Sequence, residues 1–177
     1  MITVIIPDLN EEATVAKVVE LAIKSPHVTE VIVVDDKSMD NTVEEARKAG
    51  AIIITSTKLG KGASMKDGVL VAKNEFLVFL DADITTYPKN IIELLTASLI
   101  SNEADFVKSY FTRQAGRVTE LVAKPLLSIL NPDFPNFQQP LSGMIAGRKS
   151  LLEKCEFEEG YGVDIGILMD MHNLGAK

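Results

Sequence analysis

A chain of 177 residues with 46% hydrophobic and 24% charged residues is long enough for one domain with a real core, and too apolar to be disordered. Its net charge of −7 argues against a broad nucleic-acid or anionic-membrane footprint but leaves room for a local basic site. Cys155 stands alone, which rules out an internal disulfide, and neither a signal segment at Met1 nor an apolar stretch near the roughly 18 residues of a membrane span is present, so a cytoplasmic chain is expected.

The β-branched run Ile2 to Ile6 reads as a buried strand that Pro7 should halt. Val15, Val18, Val19 and Ala22 follow at helical spacing, and Pro26 should end that helix near Lys24. Glu30 to Val34 is a second strand, closed by Asp35-Asp36, and Asn41-Thr42 can cap a helix to Lys48 with Gly50 as its stop. Ala51 to Thr55 predicts a third strand, Lys58 to Gly62 a loop, and Ala63 to Ala72 a helix. Phe76 to Leu80 is a fourth strand running into Asp81-Ala82-Asp83, and Pro88 to Leu99 another helix. Strands alternating with helices imply right-handed crossovers and a mostly parallel sheet flanked by helices, an α/β fold.

After Asp105 the pattern changes. Phe106 to Phe111 predicts a strand, Val118 to Leu130 a helix broken by Pro125, Asn131 to Pro140 a loop, Leu141 to Ala146 a return to the sheet, and Arg148 to Lys154 a short helix. No linker divides the chain, so a single domain over 1–177 is expected, with 1–104 as a nucleotide-binding half and 105–177 as an acceptor half.

Four loops should meet at the carboxyl edge of the sheet, where ligands of open α/β folds bind: Pro7 to Glu12, Asp35 to Asp40, Leu59 to Gly62, and Asp81 to Asp83. They offer carboxylates for a base, a ribose and a metal, plus Lys61 between two glycines that can approach a diphosphate. Asp-x-Asp at a strand end suits a hard cation such as Mg or Mn that also holds a diphosphate. A sugar nucleotide needs that set, because its leaving group is a nucleoside diphosphate whose growing charge a cation must stabilise. Taken singly, each feature has a plainer reading. The aspartates serve as strand-end and turn chemistry, Gly60-Lys61-Gly62 as a flexible turn, and Arg117 as a solvated charge at a helix start. The glycine spacing around Lys61 is not that of a Walker A loop.

Together, the strings PDLNEEATV from Pro7, VVDDKSMDNT from Val33, then GKG and DAD, resemble the family 2 glycosyltransferases and their relatives with the nucleotide-diphospho-sugar transferase (GT-A type) fold. In the second half, GRVTELVAKPLLSIL (116–130), QQPLSG (138–143) and GYGVDIG (160–166) are similar to the glucosyl- and mannosyl-3-phosphoglycerate synthases. That resemblance implies a metal-dependent retaining transfer of glucose or mannose, from UDP-glucose or GDP-mannose, to 3-phosphoglycerate. It implies Pro7, Leu9, Glu11 and Asp36 around the uridine or guanosine, Ser38 and Lys61 near ribose and base, and Asp81 with Ala82 on the donor nucleotide. Asp83 would bind Mg or Mn under the diphosphate. Gly116, Arg117, Val118 and Thr119 would hold the phosphate and carboxylate of the acceptor, and Arg suits such anions with its forked donors. Gly143, Tyr161 and Asp164 would face the sugar, with Asp164 orienting it or stabilising charge. Asp164, Asp83 and Arg117 are then the residues expected to carry catalysis.

Two departures stand out. Met144 occupies a position where the resemblance implies Glu, and the family pattern continues past Lys177 to a strand and a metal-joining His. A chain stopping there is expected to bind the donor but turn over slowly, unless His172 or a neighbouring chain completes the shell. His27 lies in a surface turn. Rival readings are transfer to a polyprenyl phosphate, a sugar-nucleotide-binding protein without turnover, and a phosphoacceptor receiver domain. The last is opposed by Lys124, which falls in a helical pattern. The sugar, the base and assembly as a homodimer stay open at this level.

Overall fold

The computed structural model describes residues 1–110, 116–130, 134 and 137–177, with backbone alone for Leu130 and Tyr161. Strands and helices alternate through β1 (Ile2–Asp8), α1 (Val15–Lys24), β2 (Val28–Asp35), α2 (Thr42–Lys48), β3 (Ile52–Thr55), α3 (Lys61–Val71), β4 (Phe76–Phe79) and α4 (Ile91–Ile100). β5 (Phe106–Lys108) follows, then a π-helical turn over Thr119–Ala123 that runs into α5 (Lys124–Leu130), then β6 (Ile145–Arg148), α6 (Lys149–Leu152) and α7 (Val163–Asn173). Among the described residues these strands form one six-stranded sheet in the order β3-β2-β1-β4-β6-β5. The pairs among β1 to β4 are parallel, and β6 runs antiparallel to both β4 and β5. The mostly parallel α/β architecture is the one the sequence implied.

Parallel strands covered on both faces read as continuous apolar runs. β1 is the centre of this arrangement: Val4 and Ile6 face one layer with Val15, Val18, Val19 and Ala22 of α1 and Ile92, Leu95 and Leu99 of α4. Ile5 faces the other, with Met65 and Val69 of α3 and Val163 and Ile167 of α7. Each such buried aliphatic side chain stabilises the fold by about 1.5–3 kcal/mol relative to exposure.

Several boundaries differ from the sequence reading, each for a local reason. Pro7 does not end β1, because Leu80 N–H donates to Ile5 C=O and residues of that parity turn their polar groups toward β4. β1–β4 pairing stops at Ile5–Phe79, so the missing N–H of Pro7 falls beyond the ladder, while Pro7 still pairs in register with Val34. The Gly60-Lys61-Gly62 segment is not a plain loop: α3 starts at Lys61. Asn41 supplies no side-chain cap to α2, whose first N–H, that of Thr42, is taken instead by Asp40 Oδ1 at 3.0 Å. Nor does Pro125 break its helix, since the widened turn Thr119–Ala123 precedes it and leads into α5 without interruption.

Strand β5 ends at Lys108, and Phe111 lies outside the described residues, as do 131–133 and 135–136 of the expected loop. β6 begins at Ile145, where its pairing with Phe79 begins. Its antiparallel direction brings its N-terminal end beside the carboxyl end of β4. That placement delivers Leu141 to Gly143 to the aspartates after β4, and the Ser109 and Ser142 hydroxyls, 2.8 Å apart, tie the segment to the end of β5.

Candidate active site

A cavity of about 490 Å³ opens at the carboxyl edge of the sheet. Pro7, Asp8, Leu9 and Glu11 enter it from the end of β1, Asp36 from β2, and Gly60, Lys61 and Ser64 from the start of α3. Asp81, Ala82 and Asp83 follow β4 into it, and Leu141, Gly143, Gly160 and Asp164 close it from the C-terminal part of the chain. All four loops anticipated from the sequence therefore contribute.

Other anticipated residues lie elsewhere. Ser38 does not line the cavity: its hydroxyl accepts Asn10 N–H at 2.9 Å and its own N–H donates to Asp35 Oδ1 at 3.0 Å, which ties two rim loops together. Gly116 to Thr119 are also outside the lining, with Gly116, Arg117 and Val118 exposed and Thr119 buried. Tyr161 sits in a 3₁₀ turn, Gly160–Gly162, at the cavity's edge.

The charges in the cavity are coupled. Lys61 Nζ donates to Asp81 Oδ1 at 2.9 Å and to Asp164 Oδ2 at 3.1 Å, joining the rim after β4 to the first turn of α7. Burial pulls the Lys61 ammonium down, but the two carboxylates outweigh it and leave its pKa above the ordinary lysine value. Asp164 is raised above the ordinary carboxylate range, chiefly by burial, and Lys61 and Lys108 pull it only part of the way back. Lys108 Nζ donates to the Asp164 carbonyl at 2.8 Å, and burial lowers this lysine to about 8.

Backbone geometry allows the crowding. A Cβ on Gly143 would lie 2.5 Å from Lys61 Nζ and 2.8 Å from both Asp81 carboxylate oxygens, so any larger residue would make these side-chain ends shift. On Gly62 it would collide with the Glu158 carbonyl, which is how the segment before Gly160 presses onto the start of α3. Gly60 adopts φ +115° and donates its N–H to Asp36 Oδ2 at 2.7 Å. Tyr87 pins Asp81 from behind: its hydroxyl accepts Asp81 N–H at 2.9 Å and donates to Asp81 C=O at 3.0 Å.

Asp83 is exposed on the cavity wall. Among the described residues no cluster of three or more His, Cys, Asp or Glu side chains could cage a metal. An exposed carboxylate on the cavity wall, that of Asp83, fits a cation that shares its coordination with a ligand's phosphates and water, as Mg and Mn do. The ring of His172 packs edge-on against Phe134, with centroids 5.0 Å apart.

The sequence reading missed Asp8, Ser64, Lys108 and Tyr87. For Asp8 a signal existed: Val4, Ile6 and Asp8 share one strand face, so a carboxylate continues a buried apolar row. For Lys108 there was none, since Asp164 lies 56 positions away in sequence.

Residues 3–154 match the glycosyl transferase family 2 pattern. The chain belongs to glycosyl transferase family 2. Among its relatives are glucosyl-3-phosphoglycerate synthases of Petrotoga mobilis, 36% identical over 96% of this chain and 60% of the relative, and of Mycobacterium tuberculosis, 34% identical over the same shares. The chain spans about 60% of the length of these curated relatives. The crystal structure of the M. tuberculosis enzyme in complex with Mn2+, uridine diphosphate and glucosyl-3-phosphoglycerate superposes with a TM-score of 0.91 at 34% identity, covering 98% of this chain and 66% of that one. A complex of the same enzyme with Mn2+, UDP-glucose and phosphoglyceric acid gives 0.91 at 35% identity, covering 98% and 65%. In this family 2 domain no helix among the described residues is long and apolar enough to cross a membrane.

Asp8 gives a stability prediction for the domain. Both its carboxylate oxygens are buried without a partner, and burial, with Glu11, Asp35 and Asp40 adding repulsion, raises its pKa from 3.8 to about 7. The folded state therefore binds the proton more tightly than the unfolded chain, and this residue's contribution falls as pH rises from 3.8 to about 7. Asp8→Asn should abolish that decline and gain on the order of 2 kcal/mol at pH 8, less than full linkage because a buried amide also wants partners. Denaturant unfolding at pH 4.5 and pH 8 checks it: equal effects of the substitution at the two pH values would refute the assignment.

Proposed function

We propose that the cavity is the active site of a metal-dependent, retaining glucosyltransferase that moves glucose from UDP-glucose to 3-phosphoglycerate. The observation that carries this reading is the exposed Asp83 on one cavity wall, beside the Lys61 bridge between Asp81 and Asp164. Similarity to glucosyl-3-phosphoglycerate synthases solved with Mn2+ or Mg2+, UDP and phosphoglycerate supports the substrates and the cation.

Asp83 holds the cation, which when bound supplies charge stabilisation for the departing diphosphate. Pro7, Leu9, Glu11 and Asp36 enclose the nucleoside, and Asp81 and Ala82 form the wall beneath it. Lys61 keeps Asp81 and Asp164 in register, so that the sugar meets a carboxylate already fixed in place. Gly143 and Gly160 let the backbone pass close to the sugar, and Asp164 orients its hydroxyls or stabilises charge on the ring. Arg117, exposed at the start of the helical segment before α5, offers forked donors to the acceptor's phosphate and carboxylate.

Exposed Leu121 and Ile129 on that same helical segment favour a second reading, a polyprenyl-phosphate acceptor. GDP-mannose is the alternative donor. Calorimetric titration with UDP-glucose and GDP-mannose, each with Mn or Mg, tests the donor, and tight binding of GDP-mannose alone would overturn the glucose assignment. For the acceptor, Arg117→Ala should weaken 3-phosphoglycerate by about 10- to 150-fold, the loss of a charge-assisted contact, and leave UDP affinity unchanged. Equal losses for both ligands would move Arg117 to the donor side.

A further inference from the structure

We infer that Lys108, on the edge strand β5, is a positioning residue for glucosyl transfer: its ammonium grips the main chain of Asp164 from the sheet and leaves that residue's side chain free to meet the sugar. This rests on the glucosyl-transfer reading above and extends it to a residue outside the cavity lining.

Asp164, in the first turn of α7, is held at two points. Lys61 Nζ takes its Oδ2 at 3.1 Å, and Lys108 Nζ donates to its carbonyl at 2.8 Å. The other carboxylate oxygen, Oδ1, is buried with no hydrogen-bond partner among the described residues, although Asp164 lines the cavity. A grip on the carbonyl therefore restrains the start of α7 without occupying the oxygen left for a ligand. Held through Oδ2 alone, Asp164 would follow every movement of the long Lys61 side chain. A second anchor, on a different element, removes that freedom.

The anchor itself is fixed. Lys108 pairs in register with Ile145 of β6, and the N–H of the next residue, Ser109, donates to Met144 C=O at 3.0 Å. The segment before β6 carries Leu141 and Gly143 into the cavity. Lys108 thus ties α7 to the strand edge whose approach crowds Lys61 and Asp81.

A bond to a neutral carbonyl does not by itself call for a buried charge. Burial lowers Lys108 to about 8 against the ordinary 10.5, so its charged form costs stability at pH 7, a cost that fades as pH rises from about 8 to 10.5. What the charge supplies is balance: Lys61 and Lys108 together match Asp81 and Asp164, and both lysines favour the ionised form of Asp164. An ionised carboxylate fixed beside the sugar stabilises the positive charge that develops on the ring as the diphosphate leaves.

Steady-state transfer with UDP-glucose, 3-phosphoglycerate and Mn2+, calorimetric titration with UDP, and thermal unfolding at pH 7 test this on the wild type, Lys108→Met and Lys108→Ala. Lys108→Met keeps the stem and removes the charge. It should lower kcat by about 10- to 150-fold, the loss of a charge-assisted contact, with UDP affinity within about twofold of the wild type. Its unfolding midpoint should stay or rise, because a buried charge has gone. In Lys108→Ala, added ethylammonium should restore part of the lost rate and ethanol none. Unchanged kcat in Lys108→Met overturns the proposal. So does a Lys108→Met variant that fails to fold, or one whose midpoint and UDP affinity fall along with its rate, since that is how a packing residue behaves. Rescue of Lys108→Ala by ethanol as well as by ethylammonium, or by neither, overturns it too. If the wild type moves no glucose to 3-phosphoglycerate, the reading above falls and takes this inference with it; a wild type that transfers no faster than Lys108→Met sinks this inference alone.

Discussion

Asp83→Ala should abolish the enhancement of UDP binding by Mn2+ and slow glucosyl transfer by about 10²- to 10³-fold, equivalent to about 3–4 kcal/mol of charge stabilisation. The carboxylate is the exposed one of the Asp81/Asp83 pair, whereas Asp81 is already engaged by Lys61 at 2.9 Å and held through its backbone by Tyr87. No cluster among the described residues could cage a cation without a ligand's help. Removing Asp83 takes away the exposed carboxylate of that pair. UDP affinity measured with and without Mn2+ is the check, and a variant that keeps the full metal enhancement would show that the cation is held elsewhere.

Gly143→Ala is expected to act almost as strongly through a different route. Its new methyl would fall 2.5 Å from Lys61 Nζ and 2.8 Å from both Asp81 oxygens, so the end of the lysine and the carboxylate must shift to make room. The lysine also holds Asp164, so the displacement spreads to the carboxylate proposed to face the sugar. Misplacement of a reacting group by about 1 Å can cost about 10²-fold in rate, and that is the loss expected in kcat. UDP affinity should change much less, because the nucleoside is proposed to lie around Pro7 and Asp36, which line the cavity. A normal kcat in Gly143→Ala would mean that the Lys61–Asp81 contact is dispensable.

Much of this arrangement was legible in the residues. Apolar runs ending in Asp35-Asp36 and Asp81-Ala82-Asp83 placed the acidic loops at strand ends, since a strand's length and direction follow from its own β-branched residues. Lys61 could be assigned to the same rim because it follows a third strand. What the residues could not show was pairing across distance: Lys61 with Asp164 is 103 positions apart, and Lys108 with Asp164 is 56. Helix and strand boundaries slipped wherever a proline's missing N–H fell on a side with no partner, as at Pro7. They also slipped where a widened turn accommodated it, as before Pro125. Arg117 was prominent as a motif, yet the structure places it outside the cavity lining, and its role rests on resemblance and the acceptor experiment.

Incubation of the chain with UDP-glucose carrying labelled glucose, 3-phosphoglycerate and Mn2+ tests the central claim most directly. Label should pass to a phosphorylated, acidic product with its anomeric configuration retained, at a rate that depends on both 3-phosphoglycerate and Mn2+. Label transferred to polyprenyl phosphate but not to 3-phosphoglycerate, or UDP release indifferent to the acceptor and the metal, would contradict it.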